Sequence, residues 1–507
     1  MKAAGSLCLA VCLGVGLCQP LAALADSGVL PNTSVTLSVL PGLGGAVKPG
    51  NWAPVQIELA NEGRDINGEV QVSVEDNTSR ATTFTPTPTI YAAAAILPTH
   101  SRKRLEVDVM LPAQGNRVQV KLIEGSSVLR QQEAQFEPVS ANNVLCAAIT
   151  RDSQSYDILG TIDLPGRQQH AKVVSLDPAD LPSRPQLLSS LDCLIVGNVN
   201  LSSLSVDQKG AIDAWVGRGG LLIGIGGVDW TRSLAFLPHG LLPVEVNGTT
   251  ELSSIDDLAT FMKAPSPGKG PWLVSTTKPA AGDVLVRNGN VPLVSVHRHG
   301  LGTAFYLAMD PTQSPLREWQ GSADLWRYIL AYVNTPLLSA SPFASTSVGW
   351  GRLPRTALAA APNLNPPAPK WFIALLALYV MLLGPVNYVL LRKVDRRDWA
   401  WLSLPVLAVV TTLASFRLAA DRKGSDVGLN EVSLVRSDPG VGTAYVRTYV
   451  GVYSPKDAAL DIVTSNGALI SSPTATLGLG FRVGGSQGTF SDGSAPARME
   501  PVTVMES

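Results

Sequence analysis

The sequence predicts a multidomain chain with an all-β immunoglobulin-like sandwich, an α/β domain on a mainly parallel sheet, a two-helix transmembrane hairpin and a small C-terminal β-domain. Three observations carry that prediction. Residues 34–139 alternate apolar and polar side chains with period 2, the mark of half-buried strands. Residues 143–334 replace alternation with short, almost wholly apolar runs separated by helical patterns, as strands covered on both faces require. Residues 371–419 hold two long apolar runs joined by a basic turn.

Composition narrows the function before any motif is read. Of 507 residues, 45% are hydrophobic and 16% charged, with a formal net charge of −1. A nearly neutral chain lacks the basic face that nucleic acid needs, so no nucleic-acid partner is expected. At the N-terminus, Lys2 precedes an apolar stretch over 7–17, and Ala23 and Ala25 place small residues at the −3 and −1 positions of a cleavage site. Residues 1–25 therefore read as a secretory signal peptide. Its removal takes away Cys8, Cys12, Cys18 and Lys2, leaving Cys146 and Cys193 and a net charge of −2. Two cysteines imply no disulfide framework.

The immunoglobulin-like sandwich is assigned to 30–140. Strands are expected at 34–40, 52–60, 68–75, 104–111 and 117–123, with two more near 84–97 and 128–136. About seven strands in roughly 100 residues suit that fold. No catalytic cluster accompanies them, so a spacer or adhesive role is expected.

The α/β domain is assigned to 143–335. Its buried strands are the runs at 144–150, 193–197 and 221–227. Ser205 is a plausible N-cap for the helix between the last two, and Gly219-Gly220 ends it. Further strands at 284–287, 291–297 and 302–309 lead to a helix over 322–333 carrying Trp326 and Tyr328.

Candidate chemistry in this domain is sparse. Cys146 and Cys193 lie inside apolar strands, where a thiol is buried and unreactive. His297 and His299 share a strand face, but no third ligand at recognisable spacing accompanies them, and no metal is expected. Ligands of open α/β sheets bind beyond the carboxyl ends of strands, which singles out Gly226, Asp229 and Asp310 as ligand-pocket candidates. Asp residues at such positions also cap loops. The glycines at 224, 226 and 227 lack both GxGxxG spacing and a phosphate-loop lysine, so neither a nucleotide nor any other cofactor is expected.

The runs AWVGRGGLLIGIGG (214–227) and VPLVSVHRHGLGTAFYLAMDP (291–311), with the Trp-bearing helix that follows, resemble the class I glutamine amidotransferase-like domain of bacterial envelope proteins. Together with LLGPVNYVLLRKVDRRDWAWL (382–402), the whole arrangement resembles a family of uncharacterised bacterial multidomain membrane proteins. In catalytic members of the wider superfamily a cysteine follows the fourth strand on a sharp turn, and a His-Pro-Glu element follows the last one. This chain has Gly224-Ile225-Gly226-Gly227 at the first place and Met309-Asp310-Pro311 at the second. The resemblance therefore implies the fold without the glutaminase activity.

Residues 336–370 include prolines at 336, 342, 354, 362, 366, 367 and 369, which read as a stalk. The next run, 371–391, is 21 residues without a charge, and at about 1.5 Å per residue it spans roughly the 30 Å hydrocarbon core. The second run, 399–419, is shorter in apolar length and relies on Arg417 reaching the head groups. Between them, 392–398 carries Arg392, Lys393, Arg396 and Arg397, which the positive-inside bias places in the cytoplasm. Pro385 should kink the first helix. Asn387 and Ser403 each lie eight residues from Asp395, at matching depth for an interhelical hydrogen bond. Beyond the hairpin, strands at 431–437, 443–453 and 459–463 make a β-domain over 428–490, and 491–507 reads as a poorly ordered tail.

The expected function is a membrane-anchored extracytoplasmic protein without catalytic activity, a scaffold or interaction subunit in the bacterial envelope. Its expected partners are the lipid bilayer and an unidentified envelope or membrane protein. Two alternatives stand beside it: a small-ligand sensor or enzyme at the carboxyl edge of the sheet, and an accessory subunit of a transporter.

Overall fold

The computed structural model describes residues 34–74, 89–111, 115–140, 142–164, 171–280, 282–333, 369–393, 399–423, 428–437, 444–453, 469 and 489–491. The chain is multidomain and rich in β-sheet, with few helices. The expected signal peptide, the stalk up to Ala368, the strand at 459–463 and the tail after Ser491 lie outside the described residues, as do Asp395, Arg396 and Arg397.

The N-terminal part is built from two sheets around one core. Strands β1 (Val35–Pro41), β3 (Trp52–Asn61) and β6 (Ser101–Met110) form an antiparallel sheet in the order β1-β3-β6. Strands β4 (Ile66–Val74), β5 (Thr89–Leu97), β7 (Arg117–Glu124) and β8 (Ser127–Gln135) form the other, in the order β5-β4-β7-β8. Two-residue strands β2 (Ala46–Val47) and β9 (Glu137–Pro138) pair in parallel at one end. Alternation does what it should: Val55, Ile57 and Leu59 of β3 meet Val70 and Val72 of β4 and Val118 and Val120 of β7 in a single apolar cluster. Asn61 locks the turn after β3, donating to the carbonyls of Leu97 at 3.1 Å and Pro98 at 3.0 Å.

The second part is a seven-stranded sheet in the order β11-β10-β12-β13-β18-β17-β16. Strands β10 (Val144–Ile149), β11 (Ala171–Ser175), β12 (Cys193–Val196), β13 (Leu221–Ile225) and β18 (Gly302–Leu307) are parallel, whereas β16 (Asp283–Asn288) and β17 (Val291–His299) add an antiparallel edge. Every residue of β10, β12, β13 and β18 is buried, which explains why their sequences are continuously apolar. Helix α1 (Val206–Gly217) begins at Ser205 with a full capping box: Ser205 Oγ accepts from Gln208 N at 3.1 Å, and Gln208 Oε1 accepts from Ser205 N at 2.9 Å. The helix stops before Gly219, whose φ of +120° few other residues tolerate. Periodicity missed β11 and an excursion between β13 and β16. There β14 (Val244–Leu252) and β15 (Trp272–Pro279) pair antiparallel, and α2 (Asp256–Met262) connects them. Helix α3 (Ser322–Leu330) closes the domain, with Trp326 buried.

The two parts are locked together, and the lock sits on a face that alternation assigns to solvent. Gln56 on β3 and Asp108 on β6 point away from the sandwich core, yet both are buried. Gln56 Nε2 donates to the Asp180 carbonyl at 3.3 Å, Arg184 Nη1 pairs with Asp108 at 2.6 Å, and Arg104 pairs with Asp180. At the end of the sandwich Leu43 and Ala46 belong to the hydrophobic cluster of the α/β domain, not to their own. Beside them Lys48 and Asp192, both buried, form an ion pair. Asp192 Oδ2 also accepts from Leu145 N at 2.7 Å, so the pair ties the sandwich to the start of β10 and β12.

The apolar segment holds two helices of unequal apolar length. Helix Pro369–Met381 continues through a π-helical turn at Leu382–Val386, which contains Pro385, into helix Asn387–Lys393. Within it, Ile373–Lys393 is the one described helix long and apolar enough to cross a membrane. The following helix, Ala400–Lys423, has a shorter apolar part, Leu402–Arg417, diluted by Ser403, Thr411, Thr412 and Ser415. After it, β19 (Gly428–Ser437) and β20 (Ala444–Tyr453) pair antiparallel, and the rest of the expected β-domain, 454–488 apart from residue 469, lies outside the described residues. The short β21 (Thr489–Ser491), which straddles the expected boundary between that domain and the tail, pairs in parallel with Ile90–Ala92 of β5.

The interlock generates a prediction. Leu43→Ala should cost about 2–5 kcal/mol, the usual loss for emptying a packed core site. Lys48→Met should cost roughly 3–5 kcal/mol by stranding a buried carboxylate, and less when Asp192→Asn accompanies it. Urea denaturation of the three variants checks both the magnitudes and the order.

Candidate functional site

The sandwich docks at the amino ends of β10 and β12 and along the edge strand β11, where Gly44 lies against Val174 and Ser175, which leaves the carboxyl ends of β10, β12, β13 and β18 as the candidate site. There β13 gives way to Gly226, whose N–H continues the ladder to the Leu307 carbonyl at 2.7 Å. A Cβ at Gly226 would stand 2.0 Å from Ser275 Oγ and 3.0 Å from the Leu307 oxygen, so only glycine fits. Ser275 arrives on β15, the excursion that periodicity missed. Its hydroxyl donates to the Ala308 carbonyl at 3.0 Å, lies 2.6 Å from the Tyr306 hydroxyl, and accepts from Gly227 N at 3.1 Å. Ser275 and Tyr306 are wholly buried, and burial pushes the Tyr306 phenol up, against its hydrogen bond to Ser275. The space behind the glycine turn is therefore filled by a satisfied polar plug.

Asp310 follows β18 and is tied into its own loop. One carboxylate oxygen accepts from Thr312 N at 2.9 Å and Thr312 Oγ1 at 2.6 Å, and the other from Gln313 Nε2 at 3.4 Å. This is the loop-capping arrangement that Asp favours. Asp229 is half-buried, and its carbonyl starts a turn by accepting from Arg232 N at 3.0 Å. Among the described residues no hydrogen bond joins Asp229 to Gly226 or Asp310.

Sequence reasoning missed Tyr156, in the short 3-10 segment Ser153–Thr161. Its ring meets Trp326 edge-on at 5.7 Å between centroids, and burial, then the charge of Asp310, push its phenol well up. Two buried oxygens, Thr150 Oγ1 and Asn198 Oδ1, have no hydrogen-bond partner among the described residues. They follow β10 and β12, between which the strand order reverses, the usual place for a crevice in such sheets. Asn198 also holds a φ of +46°, which Asn tolerates better than most residues.

The remaining candidates divide between placed and unplaced. His299 Nε2 lies 3.1 Å from Asp213 Oδ1 on α1, and the His297 and His299 rings are 6.3 Å apart. Among the described residues no group of three His, Cys, Asp or Glu side chains is arranged to hold a metal. Asn387 Nδ2 donates to Ser403 Oγ at 3.0 Å, joining the two apolar helices. Arg392 and Lys393 end the first of them and are exposed.

Comparison with known proteins adds a family for one part. Residues 34–137 match a domain of unknown function, DUF8726. That match covers the two sheets of the sandwich and stops before β10. No curated protein matches the chain in sequence. Among solved structures, a cytoplasmic protein of Salmonella typhimurium LT2 is similar over 38% of this chain and 99% of its own, at 14% identity and a TM-score of 0.30. The CARDB domain of a Pyrococcus furiosus protein, solved with di-metal ions, is similar over 23% of this chain and 96% of its own, at 16% identity and a TM-score of 0.16. The human F-spondin reeler domain is similar over 21% and 91%, at 14% identity and a TM-score of 0.14. At such scores none of these likenesses transfers a function.

The plug behind Gly226 makes a prediction. Gly226→Ala should lower the melting temperature, because its methyl group meets Ser275 Oγ. Combined with Ser275→Ala, the loss should be less than the sum of the two single changes, since they share one contact. Thermal denaturation of the three variants measures that coupling.

Proposed function

We propose that this chain is a membrane-anchored extracytoplasmic protein that acts without catalysis, as a scaffold or interaction subunit of the bacterial cell envelope. The observation that carries the reading is the outward-facing apolar helix Ile373–Lys393. Ile373, Leu376, Val380 and Leu390 are each more than half exposed along it. Apolar surface left in water costs about 25 cal/mol per Å², and a bilayer removes that cost.

Ala400–Lys423 serves as the return crossing in this reading, although its apolar part is short. The hydrogen bond from Asn387 to Ser403 supports a packed helix pair, and the pairing of Thr489–Ser491 with β5 favours an even number of crossings between them. Arg392 and Lys393, with Arg396 and Arg397 in the turn, assign that turn to the cytoplasm. The immunoglobulin-like and amidotransferase-like parts and the C-terminal strands then lie outside.

The non-catalytic half of the reading rests on the carboxyl edge. Where amidotransferases carry a nucleophile, this chain has glycines backed by the buried Ser275, and the adjacent Asp310 is committed to its loop. A small-ligand site at the same edge is the second reading, favoured by the unpartnered oxygens of Thr150 and Asn198.

A secreted phosphatase fused at Asp395 should be inactive and one fused at Ser425 active; activity at Asp395 refutes the topology. Purification from cross-linked native membranes should bring a stoichiometric envelope partner. Recovery of the chain alone removes the scaffold reading.

A further inference from the structure

Cys146 of β10 and Cys193 of β12 are register partners on adjacent parallel strands. Paired strands lie about 4.7–4.9 Å apart, inside the roughly 4.4–6.8 Å separation of Cα atoms that a disulfide spans. Partners in register project to the same face of a sheet. Both side chains are free thiols with no exposed surface.

We propose that this pair is an oxidation site: in the exported chain Cys146 and Cys193 close into a disulfide that staples β10 to β12 in the middle of the parallel sheet. The proposal rests on the extracytoplasmic reading above, because such bonds persist in oxidising compartments.

Other uses of the pair fit the surroundings less well. A catalytic thiol needs an exposed, stabilised thiolate, whereas burial pushes the Cys193 thiol well up. A soft metal ion would want further ligands, and among the described residues no group of three is arranged to supply them. Packing alone asks only for a small apolar residue at each place. Yet once the leader is gone the chain keeps two cysteines, and the fold sets them side by side across 47 positions of sequence.

The chemistry is dithiol–disulfide exchange with an envelope thiol–disulfide oxidoreductase in its oxidised form. One cysteine thiolate attacks the oxidoreductase disulfide and forms a mixed disulfide. The second thiolate displaces it, the new S–S bond forms, and the oxidoreductase leaves as a dithiol carrying two electrons and the two protons. Exchange takes place before β10 and β12 are covered, since neither sulfur is exposed in the folded sheet.

The test is thiol counting by intact mass on the full-length protein, denatured in an alkylating reagent directly from expressing membranes. The expected result is a chain that takes no alkyl group before reduction and two after it. Two alkyl groups without reductant, on a chain that has lost its leader, overturn the disulfide and leave export standing. Alkylation without reductant on a chain that still carries Cys8, Cys12 and Cys18 overturns the disulfide and the export reading together.

Discussion

The architecture depends on one buried ion pair. Lys48, at the end of the sandwich, meets Asp192 at the mouth of β12, and the same carboxylate accepts from the Leu145 N–H of β10. Burying two charges costs several kcal/mol each, which their mutual attraction offsets only in good geometry. Such a pair discriminates strongly against any other docking of the two parts, because sliding either surface leaves a charge without its partner. The surrounding contacts agree with that geometry. Leu43 enters the α/β core, and Asp108 and Asp180 take the arginines facing them.

That docking decides which edge of the sheet is available. The sandwich occupies the amino ends of β10 and β12, so the carboxyl ends face elsewhere. At the turns after β13 and β18 the polar groups are paired with one another, whereas Thr150 Oγ1 and Asn198 Oδ1, after β10 and β12, are not. Ser275 satisfies Gly227, Tyr306 and Ala308 together, and Asp310 satisfies Thr312 and Gln313. A nucleophile on a sharp turn needs its side chain aimed at open space. Here the turn is glycine and the space behind it is occupied.

Much of this was legible in the sequence because its causes are local. Alternation in β1, β3, β4 and β7 follows from the two-residue pleat, and the continuous apolar runs of β10, β12, β13 and β18 follow from double coverage. Ser205 reads as an N-cap from its place before the helical pattern, and the structure completes a capping box with Gln208. Asn387 and Ser403, each eight residues from Asp395 in sequence, are joined by a hydrogen bond. The excursion β14–β15 was not legible, since VEVNGTTEL is mostly polar on its alternate positions and carries little apolar signal. Nor was the role of Gln56 and Asp108, which alternation assigns to water.

By itself the sequence determined the strands and helices with strong periodicity and the run of glycines at the turn after β13. Each of these rests on neighbours within a few residues. Only the tertiary structure decided that a polar sheet face is an interface, that Ser275 plugs Gly226, and that Cys146 stands beside Cys193. Lys48 and Asp192 are 144 positions apart. No local pattern encodes such a pair, because its energy exists only when the fold has brought both groups out of water together.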